Sequence, residues 1–447
     1  MIHLTKRVFV SMLCASMLFI SCQDETEVVP PKINIEIDGT TSNKELNMVQ
    51  DGTLKLKAAI EESAGSQVVW EVNNKEVSRE VTYEFTATDL GKQTITLTVT
   101  SKDGGVSQAQ TIVNVYGKYK HGTFILNEGN MTTENGFITF ISPDGMVTDS
   151  AYYKVNKSSL GNTTQDLFIT NNKMYIIAQN GNRDGGDGTL VIANAETLVK
   201  EAVYNEEIAP SLSMPSHLAV VGTDSVYIRD DKGVYLFNPS IKKLTFVEGT
   251  AYATKNRMAV VDGKVFVPAG NNVYAIKGMK VDTLKFKGIV SGVIKSDDNK
   301  LWISCTTSPA QINKVNPTDY SVIKTNELGD AKVSAGWGAT PGISAKGDTL
   351  YFSNASTKIY RHIFNSNQTK FMVDVKTHIT DAGMVYNNLA VHPETGEVYF
   401  NTIKGFGWDF LVNNITVWNF SKEAPALKAD YKNHTHFPAG IFFTANF

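Results

Sequence analysis

The stretch that decides the fold runs from Asn388-Leu389-Ala390-Val391 through the turn Pro393-Glu394-Thr395-Gly396 to Val398-Tyr399-Phe400. Two short apolar runs separated by a turn rich in proline and glycine are typical of a pair of antiparallel β-strands. The second run, with its aromatic residue, returns along the chain. Its seven copies are Thr123-Phe124-Ile125-Leu126, Met174-Tyr175-Ile176-Ile177, Val226-Tyr227-Ile228, Val265-Phe266-Val267, Leu301-Trp302-Ile303, Leu350-Tyr351-Phe352 and Val398-Tyr399-Phe400.

The spacing of these copies predicts the architecture. Counted from aromatic to aromatic, the steps are 51, 52, 39, 36, 49 and 48 residues. A β-rich sequence that repeats with a period of about 40–50 residues is typical of a β-propeller, in which each repeat forms one blade around a central channel. We therefore expect an all-β fold with a seven-bladed propeller over residues 122–447. The fold alone does not give the function, because propellers host unrelated activities.

The two ends of this region predict how the ring closes. The first copy, at Phe124, has no inner strand before it, whereas Phe437-Pro438-Ala439-Gly440-Ile441-Phe442-Phe443 has the chemistry of an inner strand with no blade after it. We expect this C-terminal strand to complete the first blade, because such closure removes open sheet edges.

The N-terminal residues have the pattern of a bacterial lipoprotein signal. Lys6 and Arg7 precede the short apolar run Val8 to Ile20, which is followed by Ser21-Cys22. This arrangement resembles a lipobox and implies a signal peptide at 1–21, lipidation of Cys22 and a tether over 22–32. The acidic Gln23-Asp24-Glu25 resembles the surface-export signal of Bacteroidetes lipoproteins. It implies the outer face of the outer membrane, with the lipid as the only membrane anchor.

Residues 33–116 predict a separate small β-sandwich. Apolar and polar residues alternate in Ile33 to Ile37, in Leu54 to Ala58 and in Ile95 to Val99, as in strands with one buried face. Together with Val69-Trp70-Glu71-Val72 and Tyr83-Glu84-Phe85, the segment resembles a PKD-type, immunoglobulin-like domain. The resemblance implies a spacer or adhesion module in which Trp70 fills the core between two sheets.

Charge and cysteine content exclude some classes of function. The net charge is −3 and the pI is about 6.3, so nucleic acid is not an expected partner. With Cys14 in the signal and Cys22 lipidated, Cys305 is left without a disulfide partner. It follows a strand, and no cationic neighbour in the sequence would activate it, so we expect a buried structural thiol.

Ligands of propellers bind near the central channel, at the loops that enter the inner strand and leave the aromatic strand. The residues at these places are rich in amides and include two tryptophans, which suits hydrogen bonding and stacking on a large polar ligand. Asparagine and aspartate there can equally serve only to stabilise turns. Trp337 and Trp408, both in glycine-rich loops, are the preferred contacts. The candidate ligand-binding residues are Asn127, Glu128, Asn130, Gln165, Asp166, Gln179, Asn180, His217, Arg229, Arg257, Trp337, Asn388 and Trp408.

Catalytic and metal-binding patterns are poor, so we expect neither an enzyme nor a cofactor. The sequence has no Gly-x-Ser-x-Gly, His-Glu-x-x-His or P-loop motif. His434 and His436 lack a nearby third metal ligand. The loop from Asn182 to Gly188 lacks the terminal glutamate of a Ca²⁺ loop and is expected to be a hairpin tip.

The propeller region resembles the YncE-like, DUF5074-type propellers of Bacteroidetes surface proteins over nearly all of residues 122–447. The resemblance rests on Phe124 to Asn130, Gly136 to Thr139, Thr164 to Leu167 and Tyr175 to Asn180. This group includes the BtuG-type lipoproteins, and the likeness implies non-enzymatic capture of a corrinoid (vitamin B12) for a TonB-dependent transporter. The alternatives are a glycan- or protein-binding or adhesion scaffold, and a propeller hydrolase or lyase with carboxylates or a metal in the channel.

Overall fold

The computed structural model describes residues 28–38, 40–41, 45–61, 64–334, 340–422 and 424–444. The chain divides into two compact units, Met1–Tyr116 and Gly117–Phe447. Among the described residues, no helix combines the length and the apolar character needed to cross a membrane. The predicted signal peptide, Cys22 and most of the predicted tether lie outside the described residues.

The N-terminal unit consists of two β-sheets. One sheet has the strand order β2-β1-β4-β7 and is antiparallel; the other has the order β3-β9-β8-β5-β6, with β3 parallel to β9. The strands are β1 Ile33–Ile37, β2 Thr40–Thr41, β3 Leu46–Val49, β4 Thr53–Ile60, β5 Gln67–Val72, β6 Lys75–Ser78, β7 Thr82–Thr86, β8 Gly91–Thr100 and β9 Val106–Tyr116.

The core of this unit forms between the apolar faces of its two sheets. Trp70 of β5 is fully buried, and its ring lies 6.2 Å from that of Tyr83 on β7 of the other sheet. The indole N–H donates a hydrogen bond of 2.9 Å to the carbonyl of Glu80, so the buried polar atom of this side chain is satisfied. The prediction that Trp70 is a core residue is confirmed.

The C-terminal unit is built from four-stranded antiparallel sheets. Its strands are β10 Thr123–Asn127, β11 Phe137–Ile141, β12 Val147–Thr148, β13 Thr164–Thr170, β14 Lys173–Ala178, β15 Leu190–Asn194, β16 Lys200–Tyr204, β17 His217–Gly222, β18 Ser225–Arg229, β19 Val234–Asn238, β20 Lys243–Phe246, β21 Ala259–Val261, β22 Lys264–Ala269, β23 Asn272–Lys277, β24 Lys280–Lys285, β25 Val290–Lys295, β26 Leu301–Cys305, β27 Gln311–Val315, β28 Val322–Glu327, β29 Ile343–Lys346, β30 Thr349–Phe352, β31 Lys358–Ile363, β32 Gln368–Asp374, β33 Met384–Val391, β34 Val398–Ile403, β35 Asn413–Asn419, β36 Ala426–Lys432 and β37 Pro438–Phe443. The helical segments are the α-helix α1, Ala151–Asn156, and the 3₁₀ turns Arg183–Gly185, Val375–Thr377 and Gly407–Leu411.

Each sheet takes consecutive strands, with one exception. The orders are β13 to β16, β17 to β20, β21 to β24, β25 to β28, β29 to β32 and β33 to β36, while the remaining sheet has the order β12-β11-β10-β37. The C-terminal strand β37 therefore pairs with β10, the first strand of the unit, in the register Phe124 opposite Phe442. This pairing covers an edge that β10 would otherwise expose.

The first strand of each sheet, and β37 in the exceptional one, lies innermost. These innermost strands contact one another in the cyclic order β37, β13, β17, β21, β25, β29, β33 and back to β37. The ring surrounds a central channel, which is the architecture of a β-propeller. The repeated aromatic residues of the second strands are buried between sheets, as at Phe124, Tyr175, Phe266 and Trp302.

Cys305 is 1% exposed at the end of β26, and burial raises the pKa of its thiol to about 12. The amide of Asn313 lies 3.6 Å from its sulfur. The prediction of an inert structural thiol is confirmed.

Candidate functional site

Irregular pairing marks one end of the channel, the end at which the innermost strands begin. The register shifts between Thr164 and Asp166 in β13, between Val290 and Gly292 in β25, between Val385 and Leu389 in β33, and opposite Leu126 and Asn127 at the start of β37. Such bulges re-aim side chains and are common at the rims of barrels and beside binding sites. We call this end the channel entrance.

A buried ion pair crosses the channel just inside the entrance. Arg257, two residues before β21, places its Nε 3.1 Å from Oδ1 of Asp166 in β13. The other carboxylate oxygen of Asp166 accepts from the backbone N–H of Leu218 in β17 at 3.2 Å. Burial raises the pKa of Asp166, and the charge of Arg257 opposes this shift. The pair thus ties together three innermost strands.

The guanidinium of Arg257 also packs on β37. It lies over the ring of Phe442, 4.4 Å from the ring centre, an arrangement that favours a cation. A Cβ at Gly440 would come within 2.4 Å of Nη2 of Arg257, so only glycine leaves room for the guanidinium here. Nη2 itself is buried and has no hydrogen-bond partner among the described residues. Arg257 therefore contacts two innermost strands of other sheets, β13 and β37.

Beyond this pair lies a cavity of about 290 Å³ with a mostly apolar lining. Leu167, Ile294 and Leu389 contribute from three innermost strands, and Arg257 and Asn387 form its polar end. Arg257 of the ion pair thus lines this cavity as well.

Four side chains from four sheets meet at the entrance: Glu128, Gln165, Lys255 and Tyr386. We call them the entrance cluster. The Tyr386 hydroxyl and the Gln165 amide hydrogen-bond to the carboxyl of Glu128, and the charge of Lys255 attracts it. Desolvation nevertheless dominates and raises the pKa of Glu128 to about 7. The same burial raises the pKa of Tyr386.

The local backbone explains how this cluster forms. Glu128 follows β10 directly, and its backbone N–H donates to the carbonyl of Phe437 at 2.9 Å. Gln165 is the extra residue of the bulge in β13, and Tyr386 lies in the bulge of β33. A regular strand would place alternate residues on opposite faces, so the bulges bring side chains to the entrance that simple alternation would not.

An aromatic series connects the entrance cluster to the surface. The ring of Tyr386 lies 5.4 Å from Phe437, which lies 6.4 Å from Phe406. Phe406 is 50% exposed and Trp408 is 82% exposed on the loop between β34 and β35. Exposed aromatic rings beside a polar site provide stacking surfaces for a ligand.

Three of the predicted side chains form hydrogen bonds that hold the sheets and turns together. Asn127 is fully buried, donating to Ile125 and Thr139 and accepting from the backbone of His436. Asn130 accepts from Thr132 within its own turn, and Asn180 donates to Asn162. These bonds engage the three amides within the protein, and Asn127 is the one of them that is fully buried.

His217 and Arg229 likewise serve the interior. His217 is 1% exposed and its Nδ1 lies 3.0 Å from the hydroxyl of Ser216. Arg229 is 6% exposed and donates to Ala253, Ser216 and Asp231. The bond from Arg229 to Ala253 reaches the segment before β21, whereas those to Ser216 and Asp231 stay within its own sheet. Gln179 is half-buried, and its backbone N–H donates to Thr163.

The structure therefore gathers Glu128, Gln165, Asp166 and Arg257 at or just inside the entrance, while Trp408 lies on the same loop as Phe406. Trp337 and the side chain of Asn388 lie outside the described residues. Sequence reasoning missed Tyr386, Lys255, Phe437 and Gly440. A signal for Tyr386 was present, since it directly precedes the amide pair Asn387-Asn388 at the start of an inner strand.

The two histidines near the C-terminus are each paired with a carboxylate. Nδ1 of His434 lies 3.0 Å from Asp149, and Nδ1 of His436 lies 2.7 Å from Glu134. Asp187, in the loop considered for Ca²⁺, pairs with Lys200 at 2.8 Å. The described part of the chain contains no cluster of three or more metal-ligating side chains.

Comparison with solved structures agrees with the architecture. A quinonprotein alcohol dehydrogenase-like protein from Bacteroides thetaiotaomicron is 15% identical, with a TM-score of 0.55 over 93% of this chain and 99% of that one. The β-propeller domain of Cps50 (Swd1) from Myceliophteria thermophila is 11% identical, with a TM-score of 0.42 over 62% of this chain and 87% of that one. At these low identities the comparison supports only the fold of this chain, and only the first structure is similar enough to do so.

None of the curated proteins is significantly similar to the chain. The family model described as a domain of unknown function, DUF5074, matches residues 121–444, which comprise nearly all of the C-terminal unit. This chain therefore belongs to the DUF5074 family of β-propeller proteins.

Proposed function

We propose that this protein is a non-enzymatic surface lipoprotein whose seven-bladed propeller captures a bulky polar ligand, a corrinoid such as vitamin B12, for a TonB-dependent transporter. The observation that carries the proposal is the entrance cluster. Tyr386 of this cluster is linked through the ring of Phe437 to the exposed ring of Phe406, which lies on the same loop as the exposed Trp408. A few convergent polar groups beside aromatic surface are the usual composition of a ligand site.

The geometry favours a ligand that sits on the entrance over one that threads the channel. Arg257 reaches Asp166 and the ring of Phe442 just inside, so a molecule that enters the channel meets this ion pair. A corrinoid suits such a surface, because it is a broad ring system whose edge carries carboxamides.

Two observations support a seven-bladed ring closed by the C-terminal strand. The described part of the C-terminal unit contains seven four-stranded sheets, and β10 pairs with β37. The resemblance of residues 33–116 to a PKD-type, immunoglobulin-like domain fits a spacer between the lipid and the propeller. The lipobox-like Ser21-Cys22 supports the membrane anchor.

Calorimetric titration of the purified protein with cyanocobalamin tests the proposal. We expect saturable binding at micromolar concentration or below. We also expect binding to weaken about two- to tenfold in Trp408→Ala, because stacking on an aromatic ring contributes about 0.5–1.5 kcal/mol, and each 1.4 kcal/mol is a factor of ten.

A matched control is Phe371→Ala, which removes a similarly exposed aromatic ring from β32, the outermost strand of its sheet. Its affinity should equal that of the wild type. Absence of any heat with cyanocobalamin would contradict corrinoid capture. Binding to a panel of neutral glycans in its place would then favour the alternative, a glycan-binding scaffold.

A further inference from the structure

The charged side chains at the entrance compensate one another. Asp166 pairs with Arg257 at 3.1 Å, and Lys255 attracts Glu128. With all four ionised, the entrance carries no net charge. A ligand group with a full charge would therefore meet a like charge close by, in a place where desolvation already disfavours ionisation.

Glu128 is the hydrogen-bond acceptor of the cluster that a ligand reaches most directly; Lys255 is half-buried as well, but its ammonium group only donates. Gln165 is 4% exposed and Tyr386 is 7% exposed, whereas Glu128 is only half-buried. The carboxyl of Glu128 receives hydrogen bonds from Tyr386 and Gln165. A carboxylate offers about four acceptor positions, so positions remain for a donor that approaches from solvent.

The neighbours of Glu128 limit which donor can take those positions. Lys255 already supplies a positive charge, so a second cation would be repelled, and a carboxylate would be repelled by Glu128 itself. Oε1 of Gln165 is buried without a partner among the described residues, which adds a second acceptor to the cluster. An uncharged N–H₂ group suits two acceptors in an electrically balanced site.

We propose that the entrance cluster selects an uncharged hydrogen-bond donor on the ligand, of the carboxamide class, and that Glu128 accepts from this donor and excludes a carboxylate from the same place. This inference rests on the proposed function for the site but not on the ligand being a corrinoid.

The first test compares cyanocobalamin with its monocarboxylic acids, in which one peripheral carboxamide is replaced by a carboxylate. At pH 8 we expect at least one of these acids to bind at least tenfold more weakly to the wild type. In Glu128→Gln, the ratio of the affinity for cyanocobalamin to the affinity for that acid should fall towards one. The control Glu327→Gln, on the outer strand β28, should keep the wild-type ratio.

The same comparison at pH 5 gives a second readout. Desolvation raises the pKa of Glu128 to about 7, so the group is protonated at pH 5 and discrimination should weaken there. The groups that face it are Lys255, Tyr386 and Gln165. Equal affinities of amide and acids at pH 8, or an unchanged ratio in Glu128→Gln, would overturn the inference.

A third measurement does not need a corrinoid. Crystals of the wild-type protein at pH 8 are soaked in concentrated acetamide or in sodium acetate at the same concentration. We expect acetamide within hydrogen-bond distance of the Glu128 carboxyl and no acetate there. Acetate at Glu128, or neither molecule, would refute the inference. Acetamide binding without any affinity for cyanocobalamin would refute corrinoid capture and leave this inference standing.

Discussion

Nε of Arg257 lies 3.1 Å from Oδ1 of Asp166, and this contact joins two sheets that are not neighbours in the ring. Asp166 belongs to β13 and Arg257 precedes β21, with the sheet of β17 between them. The Asp166 side chain is 1% exposed and that of Arg257 is 25% exposed. The Asp166 carboxylate is therefore shielded from water, and the Arg257 guanidinium and the backbone N–H of Leu218 supply polar contacts in place of water.

Replacing Arg257 by methionine should destabilise the C-terminal unit by about 3 kcal/mol at pH 8, because it leaves a buried carboxylate without its cation. Denaturant unfolding followed by tryptophan fluorescence measures the change. The control Arg183→Met, which removes an exposed pair with Asp184, should leave the unfolding midpoint unchanged. An equal effect of both variants would contradict this role of the Arg257–Asp166 pair.

Gly440→Ala should destabilise the unit by about 1–3 kcal/mol, because the new Cβ would lie 2.4 Å from Nη2 of Arg257 and 2.9 Å from the ring of Phe442. Part of this cost should disappear when Arg257→Ala is also present, and a double-mutant cycle measures the coupling. Gly222→Ala is the control, since a Cβ there meets nothing within 4 Å. Strict additivity of the two changes would show that the guanidinium does not occupy this space.

The stability of the protein should depend on pH through Glu128. Its folded-state pKa of about 7 lies above the unfolded value of 4.5. Between pH 4.5 and pH 7, the carboxyl is therefore protonated in the folded state and ionised in the unfolded state. The contribution of the protonated carboxyl is complete below pH 4.5 and is lost as the pH rises to about 7.

We therefore compare the free energies of unfolding of Glu128→Gln and the wild type at two pH values. Between pH 4.5 and pH 8, the difference between them should shift by up to about 3 kcal/mol in favour of Glu128→Gln. Unfolding midpoints at the two pH values measure this difference. Glu327→Gln should show no such pH dependence. A difference between wild type and Glu128→Gln that is the same at both pH values would disprove the assignment.

Phe406→Ala and Trp408→Ala should change the free energy of unfolding by less than about 0.5–1 kcal/mol, because both side chains are largely exposed. Their effect should appear in ligand affinity alone. Thermal unfolding and calorimetry on the same samples separate the two quantities. A large loss of stability in Trp408→Ala would mean that the ring supports the loop structure rather than contacting a ligand.

Much of the fold was predictable because strands, turns and buried aromatic residues leave local patterns. The runs around Tyr175 and Tyr399 and the unmatched C-terminal strand at Ile441 correspond to β14, β34 and β37. Strand beginnings were less accurate. The inner strand expected from Asn388 begins at Met384, because a bulge carries the strand further than the apolar pattern does.

The candidate site was predicted only in part, and for a physical reason. Glu128 and Asn127 are adjacent in sequence and look equally polar, yet one is reachable at the entrance and the other is fully buried in hydrogen bonds between sheets. The neighbouring sequence does not distinguish the two side chains, because their environments are set by strands of other sheets that are distant in sequence.

The sequence by itself determined the all-β class, the repeat, the buried thiol at Cys305 and the core position of Trp70, since each follows from the chemistry of residues close together in the chain. Only the tertiary structure decided that Arg257 reaches Asp166, and that Tyr386, Gln165 and Lys255 surround Glu128. These contacts join residues from different sheets. They depend on ring closure and on bulges, which the order of residues along one strand does not reveal.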